Sequence, residues 1–400
     1  MRLMVDVRTM ASQPSGVGMY VYNFIKEVQK CSDVELILIS DVDESCQMQE
    51  MKRSDARIIL YGKRIFRSKE VFRYFSFVKK EVLREQPDLF WEPNNLLPTN
   101  LKGFKGKVML TLHDVFPITH AKYFNRLYPL YFRIFLKYSI RNSDVLLFNS
   151  EETRKNVEKY VPLAKEKETF LTYVIVPDGT TETVKDDKTA DIVVDDKTTN
   201  TASDNKTTDT LSDSKIAENN DYFFYIGNLE GRKGVDRLLK AYQQYFLQGG
   251  KRKLYLAGGI KDDYIRDLIV QVQKTVGTNL ISLGYVEQEK KKRLIRQGGC
   301  FLFPSRAEGF GIPLIEVMQF KVPIIASDMS IFREIIGDCI YYYQQGADEK
   351  EEIANLAKAL QLFDKGCIRI DEQRYENVVE KYSPEVLGKA FIQFLNVFNE

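Results

Sequence analysis

Only two histidines, His113 and His120, occur in 400 residues, so chemistry that needs several imidazoles is disfavoured. Cysteine is also scarce. Cys31, Cys46, Cys300, Cys339 and Cys367 are scattered, odd in number and without a C-x-x-C pair. Neither a zinc site nor a disulfide framework is expected, and a reducing compartment fits better. No stretch approaches the roughly 18 uncharged apolar residues of a membrane-spanning helix. The opening "MRLMVDVRTM" carries Arg2, Asp6 and Arg8 and makes a poor leader peptide. A cytoplasmic protein is therefore expected. Charge of one sign is lacking too: 58 Lys and Arg meet 56 Asp and Glu, a net of +2. Without a clustered basic stripe, nucleic acid is not an expected partner.

What is abundant is apolar residues, 44% of the chain with 12% aromatic, enough for two cored domains. Residues 178–220 stand apart. They contain no aromatic residue and read "KDDKTADIV", "VDDKTTNTA", "SDNKTTDTL" and "SDSKIAENN", with Asp186, Asp195, Asp204 and Asp213 nine apart. A calcium-binding β-roll also repeats every nine residues, but it needs Gly-rich repeats, and only Gly179 occurs here. Eleven acids and five lysines leave the segment six charges negative, and the remainder of the chain at +8. Such a stretch buries too little apolar surface to offset its chain entropy, so a disordered, solvated insert is expected.

On either side, apolar strands alternate with helices. "RLMVDVR", "VELILIS", "ARIILY", "DLFWEP", "KVMLTLHD", "DVLLFNS" and "TFLTYVIV" read as strands, with helices near 17–30, 69–86, 121–142 and 151–160. Beyond the insert, "YFFYIGN", "KLYLAGG", "LISLGYV", "CFLFPS", "VPIIASD" and "CIYYY" alternate with helices near 234–247, 263–276, 287–297 and 312–320. The pattern predicts an α/β chain with two doubly wound parallel sheets facing across a cleft. Ligands of such sheets sit beyond the carboxyl ends of the strands, which makes the residues there the candidates.

Gly16 and Gly18, in "QPSGVGMYVYNF", precede an apolar helix, an arrangement that holds a phosphate on backbone N–H groups or simply makes a tight turn. His113 and Asp114 end another strand, where an imidazole can donate to a substrate hydroxyl or phosphate. In "GNLEGRKGVDRLLKA", Gly227 closes a strand, and Arg232 and Lys233 stand just before a helix. A helix N-terminus disfavours cations, so two adjacent ones there point to an anion such as a diphosphate. In "EGFGIPLIEV", Glu308 and Glu316 flank Gly309, Phe310, Gly311 and Pro313. Pro suits a first helical turn and the glycines allow close approach of a ligand. One carboxylate should sit on the turn and the other one turn into the helix, both facing one crevice. The aromatic, basic stretch "KYFNRLYPLYFRIFLKYSIR" at 122–141 is expected chiefly to pack into the core, with peripheral membrane contact as its second use.

"E-G-F-G-I-P-L-I-E" resembles the E-x7-E motif of retaining glycosyltransferases with the GT-B fold, glycosyltransferase family 4. The likeness extends to Arg232–Lys233, the Gly16–Gly18 loop, "HDVFP" at 113–117 and "VPIIASDMSIFREIIGD" at 322–338. "HDVFP" is most similar to mannosyltransferase-like enzymes of bacterial surface-polysaccharide assembly. One departure is "VPDGTTE", where the family commonly carries an "N-G-V-D"-like turn. The resemblance implies a Rossmann-like acceptor-side domain at 1–177, the insert at 178–220, a nucleotide-sugar donor domain at 221–381, and a C-terminal helix at 382–400 crossing back to the first domain. It implies that Glu316 binds the ribose hydroxyls of a nucleotide-diphosphate sugar, while Glu308 and the backbone of Gly309, Phe310 and Gly311 hold the donor sugar. Arg232 and Lys233, with the Gly18 backbone, would stabilise the departing diphosphate. His113 would reach the sugar, and the stretch with Tyr285 and Val286 would lie along the base. No metal or other cofactor is implied. The implied reaction moves a mannose-like hexose, with retention, to a saccharide or lipid-linked acceptor. The rivals are a nucleotide-sugar epimerase on the same fold and a non-catalytic nucleotide-sugar-binding protein.

Overall fold

The computed structural model describes all residues except 13, 15, 66, 67, 98, 99, 181–220 and 399–400. The nonapeptide repeat therefore lies outside the described residues. The first lobe carries seven strands: β1 (Arg2–Asp6), β2 (Glu35–Ser40), β3 (Arg57–Leu60), β4 (Leu89–Glu92), β5 (Lys107–Leu112), β6 (Val145–Phe148) and β7 (Glu168–Leu171). Its helices are α1 (Gly16–Val28), α2 (Cys46–Lys52), α3 (Ser68–Glu85), α4 (Phe116–Thr119), α5 (Tyr128–Arg141) and α6 (Glu151–Tyr160). All strand pairs are parallel, in the order β3-β2-β1-β4-β5-β6-β7.

The second lobe has β8 (Tyr222–Ile226), β9 (Lys253–Ala257), β10 (Leu280–Gly284), β11 (Cys300–Phe303), β12 (Ile324–Ser327) and β13 (Tyr341–Tyr343), again all parallel, in the order β10-β9-β8-β11-β12-β13. Around it lie α7 (Val235–Leu247), α8 (Asp263–Val276), α9 (Gln288–Arg296), α10 (Ile312–Met318), α11 (Ser330–Ile336), α12 (Glu349–Asp364) and α13 (Glu372–Lys381), followed by α14 (Lys389–Asn396). In each sheet the chain leaves one central pair in opposite directions, at β1/β4 and at β8/β11. These two switch points open the crevices in which ligands of doubly wound sheets bind.

Three of the elements read in the sequence differ in extent, and α2, α11, α12 and α13 are not among those read there. The helix expected over 121–142 is broken, with α4 and a short 3-10 turn (Ala121–Tyr123) ahead of α5, which begins beside Pro129. Proline has no N–H to give and biases the preceding residue away from the helix, so a helix can start there but not run through. "TFLTYVIV" leaves the sheet after Leu171, and Tyr173 takes a left-handed φ of 52° as the chain turns toward the second lobe. The strand in "VPIIASD" starts only at Ile324, beyond Pro323, which lacks a ladder donor.

Apolar side chains of both lobes merge into one cluster, which includes Tyr20, Phe24 and Trp91 as well as Phe310, Ile315 and Phe332. The C-terminal segment joins them. Phe391 on α14 packs edge-on against Phe24, with ring centres 4.8 Å apart, and lies 5.3 Å from Trp91, while Phe394 stacks on Phe170 at 4.2 Å. Gly388 packs closely where this segment meets α1, since a Cβ there would stand 2.4 Å from Glu27 Cγ and the Glu27 side chain would have to shift. The chain leaving the first lobe is tied down over 176–179. Val176 N–H donates to Tyr382 O, and Gln319 accepts from Gly179 N–H and donates to Pro177 O.

Candidate active site

The carboxyl ends of β8 and β11 define one wall of the cleft. After β8 the chain forms a 3-10 turn at Gly231–Lys233 and enters α7 through Gly234, whose φ is 68°. Only glycine fits at 234, because a Cβ would lie 1.9 Å from Pro304 O in the turn after β11. That close approach locks the two loops together. Arg306 N–H donates to Arg232 O at 3.0 Å, and its guanidinium reaches Gly231 O at 3.1 Å and Asp236 at 3.3 Å. Arg232 and Lys233 are thus held on the switch point by a buttress of Arg306, Asp236, Arg237 and Glu352.

Lys233 Nζ bonds both oxygens of Glu308, at 2.6 and 2.7 Å, and Ser305 Oγ donates to the same carboxylate at 2.6 Å. Arg232 donates to Ala307 O at 2.9 Å and to Glu230 at 2.7 Å, and its guanidinium sits 5.6 Å from the ring centre of Phe116 on the opposite lobe. Gly311 caps α10 with a φ of 105°, and Pro313 occupies the first helical turn. Glu316, one turn further on, pairs with Lys291 of α9 through two 2.7 Å bonds. Glu308 and Glu316 both line one cleft cavity of about 1710 Å³, together with Arg232, Lys233 and Lys291.

The first lobe supplies the facing wall. His113 follows β5 and is buried, with its backbone N–H on Asn95 Oδ1 at 2.7 Å and its ring edge-on to Tyr20 at 4.8 Å. Burial pulls its pKa down to about 4, so the ring is neutral near pH 7. Nε2 lies 2.8 Å from Pro93 O, which places the proton on Nε2 and leaves Nδ1 an acceptor. The ring is therefore fitted to accept from a hydroxyl, not to donate to one. Its neighbour Asp114 also lines the cavity, and burial raises its pKa against the opposing pull of the Phe116 N–H and Arg232.

The lobes touch at this point. Ser150 Oγ donates to Gly309 O at 3.1 Å, and a Cβ at 309 would lie 2.6 Å from His113 O. Glu334 of α11 accepts the Glu151 and Glu152 N–H groups at 2.6 and 2.8 Å, satisfying the first turn of α6 from across the cleft.

Of the residues singled out in the sequence, Gly16, His113, Arg232, Lys233, Glu308, Gly309, Phe310, Gly311 and Glu316 line the cavity. Four others are placed elsewhere. Gly18 lies inside α1 against Thr9, where a Cβ would meet the carbonyl oxygen at 2.3 Å, so its smallness serves helix packing. Gly227 carries a φ of 148° beside the Tyr225 ring and packs its carbonyl against Gly258. Val286 is partly buried against the core, and Tyr285 is 85% exposed. Asp114, noted beside His113 at the strand end, also lines the cavity, and Lys291 and Asn149 are cavity residues for which the sequence held no signal.

Two family models cover most of the chain. Residues 14–169 match "Glycosyltransferase Family 4", and residues 206–365 match "Glycosyl transferases group 1". The chain is a glycosyltransferase of family 4 with the GT-B fold. Among curated relatives, the O-antigen chain mannosyltransferase B of Escherichia coli is 36% identical over 123 residues, 29% of this chain and 31% of that protein. The serotype-specific mannosyltransferase WbdA of the same species is 29% identical over 142 residues, 35% of this chain and 17% of that protein. The chain thus covers a third or less of the length of these two relatives. The O-antigen chain mannosyltransferase RfbU of Salmonella typhimurium is 21% identical across 69% of each chain. The glycosyltransferase also shares its fold with HepE of Anabaena, solved with UDP and glucose, at 15% identity and a TM-score of 0.72 over 99% of this chain and 100% of that one. Sucrose-phosphate synthase of Thermosynechococcus elongatus superimposes at 15% identity and 0.74, over 99% and 98%.

Proposed function

We propose that this glycosyltransferase moves a mannose-like hexose from a nucleotide-diphosphate sugar to a saccharide or lipid-linked acceptor hydroxyl, with anomeric retention, in the cytoplasmic stages of surface-polysaccharide synthesis. The observation that carries the reading is the convergence of Arg232, Lys233, Glu308 and Glu316 on one cavity, faced by His113 from the other lobe. The mannosyltransferases of O-antigen synthesis among its relatives support the sugar and the setting. HepE, solved with UDP and glucose, supports the donor class.

In this reading the diphosphate takes the place that Glu308 now holds on Lys233 and lies between that ammonium and the Arg232 guanidinium. Both cations stabilise charge where it develops as the sugar–phosphate bond breaks. They supply the positive charge that a divalent ion would otherwise provide, and we propose that no metal is needed. Glu308, released from Lys233 and still held by Ser305, turns to the sugar hydroxyls. Neutral His113 accepts a hydroxyl through Nδ1 and aligns the ring. Glu316 binds the ribose hydroxyls with Lys291 beside it. The bond from the anomeric carbon to the diphosphate oxygen breaks, and the acceptor oxygen bonds that carbon on the same face. The acceptor proton passes to the departing diphosphate. Closure of the lobes excludes water from this step.

A thermal-shift panel of nucleotide-diphosphate sugars tests the reading, since a ligand that binds the native state raises the melting temperature by mass action. At least one guanosine or uridine diphosphate sugar should raise it, and that donor should be consumed with an α-linked product visible by NMR. A panel in which no nucleotide sugar shifts the melting temperature overturns the proposal. An inverted anomer overturns retention alone. A donor epimerised without transfer identifies the epimerase instead.

A further inference from the structure

Helix α5 presents apolar side chains on two faces. Phe132, Leu136 and Ile140 point into the first lobe and are buried. On the other side Leu127, Leu130 and Ile134 are 75%, 61% and 60% exposed, with Tyr128 and Tyr131 partly exposed beside them. Positions 127, 130, 131 and 134 fall on one stripe at helical spacing. A bare stripe of this size in water is unfavourable and marks a contact surface.

The charges around it select the partner. Between Asp114 and Asp144 the chain has no acidic residue, yet it carries Lys122, Arg126, Arg133, Lys137 and Arg141. All five are exposed, and none forms an ion pair among the described residues. In a chain whose net charge is only +2, this concentration of one sign around exposed leucine and isoleucine is local and one-sided. Long cationic side chains can lie along apolar surface and keep their heads at a phosphate layer, while the stripe enters the acyl boundary. A protein partner would need an acidic rim to match the same patch, and the apolar stripe would then be covered by a surface of one particular shape. A bilayer with anionic headgroups satisfies both features without shape matching.

The patch is continuous with the cleft. Tyr123, Phe124, Tyr128 and Phe132 line the cavity, and from Phe124 and Tyr128 a ladder of rings leads away from it: Phe124 stacks on Tyr128 at 5.7 Å, Tyr128 on Tyr131 at 6.2 Å, and Tyr131 lies 4.3 Å from Phe135. An acceptor anchored in a membrane on this side would meet aromatic surface all the way to the site.

We propose that the outward face of α5 docks on the anionic surface of a phospholipid bilayer and that the glycosyltransferase takes a lipid-linked acceptor from it. This rests on the transferase reading above for the acceptor, while the docking itself does not. The test is sedimentation of the full chain with vesicles of phosphatidylethanolamine and phosphatidylglycerol, and with vesicles of phosphatidylcholine alone. Nucleotide-dependent thermal shift is measured in parallel. The full chain should sediment with the anionic vesicles and stay in solution with the neutral ones. Leu130→Glu together with Ile134→Glu should lower partitioning about tenfold or more. Arg133→Glu with Lys137→Glu should do the same and weaken the salt dependence of what binding remains. Both pairs lie outside the cavity and are exposed, so the thermal shift by nucleotide sugar should match the parent. Failure of the full chain to sediment, or full partitioning by both variants, overturns the docking. A protein that sediments as described but shows no nucleotide shift keeps the docking and overturns the transferase reading.

Discussion

Lys233 shows how one side chain serves both folding and chemistry. It neutralises Glu308, whose side chain is only 9% exposed, and in the proposed reaction it yields that role to a diphosphate. Lys233→Ala should lower kcat by about 10²–10³-fold, the usual loss when one preorganised charge at a developing oxyanion is removed. It should also lower the melting temperature, because an unpaired buried carboxylate destabilises by about 3 kcal/mol. Adding Glu308→Gln should restore the melting temperature but not turnover. A double variant no more stable than the single one would show that the pair contributes nothing to folding. His113 gives a second residue-scale prediction. Its pKa falls from 6.5 in the unfolded chain to about 4 in the fold, so between those values the unfolded state binds more protons. Its contribution to stability is therefore complete above pH 6.5 and is lost as pH falls toward 4, on the order of 3 kcal/mol in total. The stability difference between the parent and His113→Asn, followed by denaturant unfolding from pH 7 to pH 4, should shrink by that order. A difference flat with pH would show that the imidazole is not buried neutral.

At the scale of elements, the turn between β11 and α10 is the most constrained segment of the site. Gly311 supplies the left-handed cap, while Gly309 lets the turn touch the β5 end of the other lobe. Gly309→Ala places a methyl 2.6 Å from His113 O. The second lobe can back away from the contact, so the protein should keep its melting temperature within a few degrees while kcat/KM falls at least about tenfold through misplacement of Glu308. Steady-state kinetics beside calorimetry separates these effects, and an unchanged kcat/KM would mean that the lobes need not meet there. The same turn explains what was readable in advance. Gly, Phe, Gly and Pro between two carboxylates state the turn and the helix start in local chemistry alone. The interruption of the helix at 121–142 was also written locally, in Pro129, but the aromatic periodicity on both sides hides it.

For the molecule as a whole, the lobes are joined by a shared apolar cluster, to which specific polar contacts across the cleft are added. Glu334 binds two N–H groups at the start of α6, and charge-assisted bonds of this kind each contribute about 1.5–3 kcal/mol. Glu334→Ala should free the first turn of α6 and loosen the closed arrangement. Hydrogen exchange of the peptide that carries Glu151 and Glu152 should accelerate, and donor KM should rise while the melting temperature of each lobe's core changes little. Exchange at parental rates would place the closure elsewhere. The C-terminal helix is the counterpart of this contact. Phe391 and Phe394 bind the end of the chain to the first lobe, so the linker at 172–179 and α14 make two crossings between lobes, spaced far apart in sequence.

Short-range chemistry in the sequence was enough to determine the parallel strands, the glycine turns, the cations ahead of α7 and the paired carboxylates, because each depends on neighbours within a few positions. Tertiary structure alone decided which of several equivalent side chains reach the cleft. Lys290, Lys291 and Lys292 are chemically the same run, yet Lys291 is the one that meets Glu316, through the packing of α9 beside α10. Likewise Glu334 looks like any helix carboxylate until the fold brings α6 within bonding distance, and Gly18 looks like a phosphate loop until Thr9 O fills the space beside it. Contacts between elements that only the fold brings together leave no local signature, since the selecting force is the packing of one element on another, within a lobe or between lobes, and not the pattern of either.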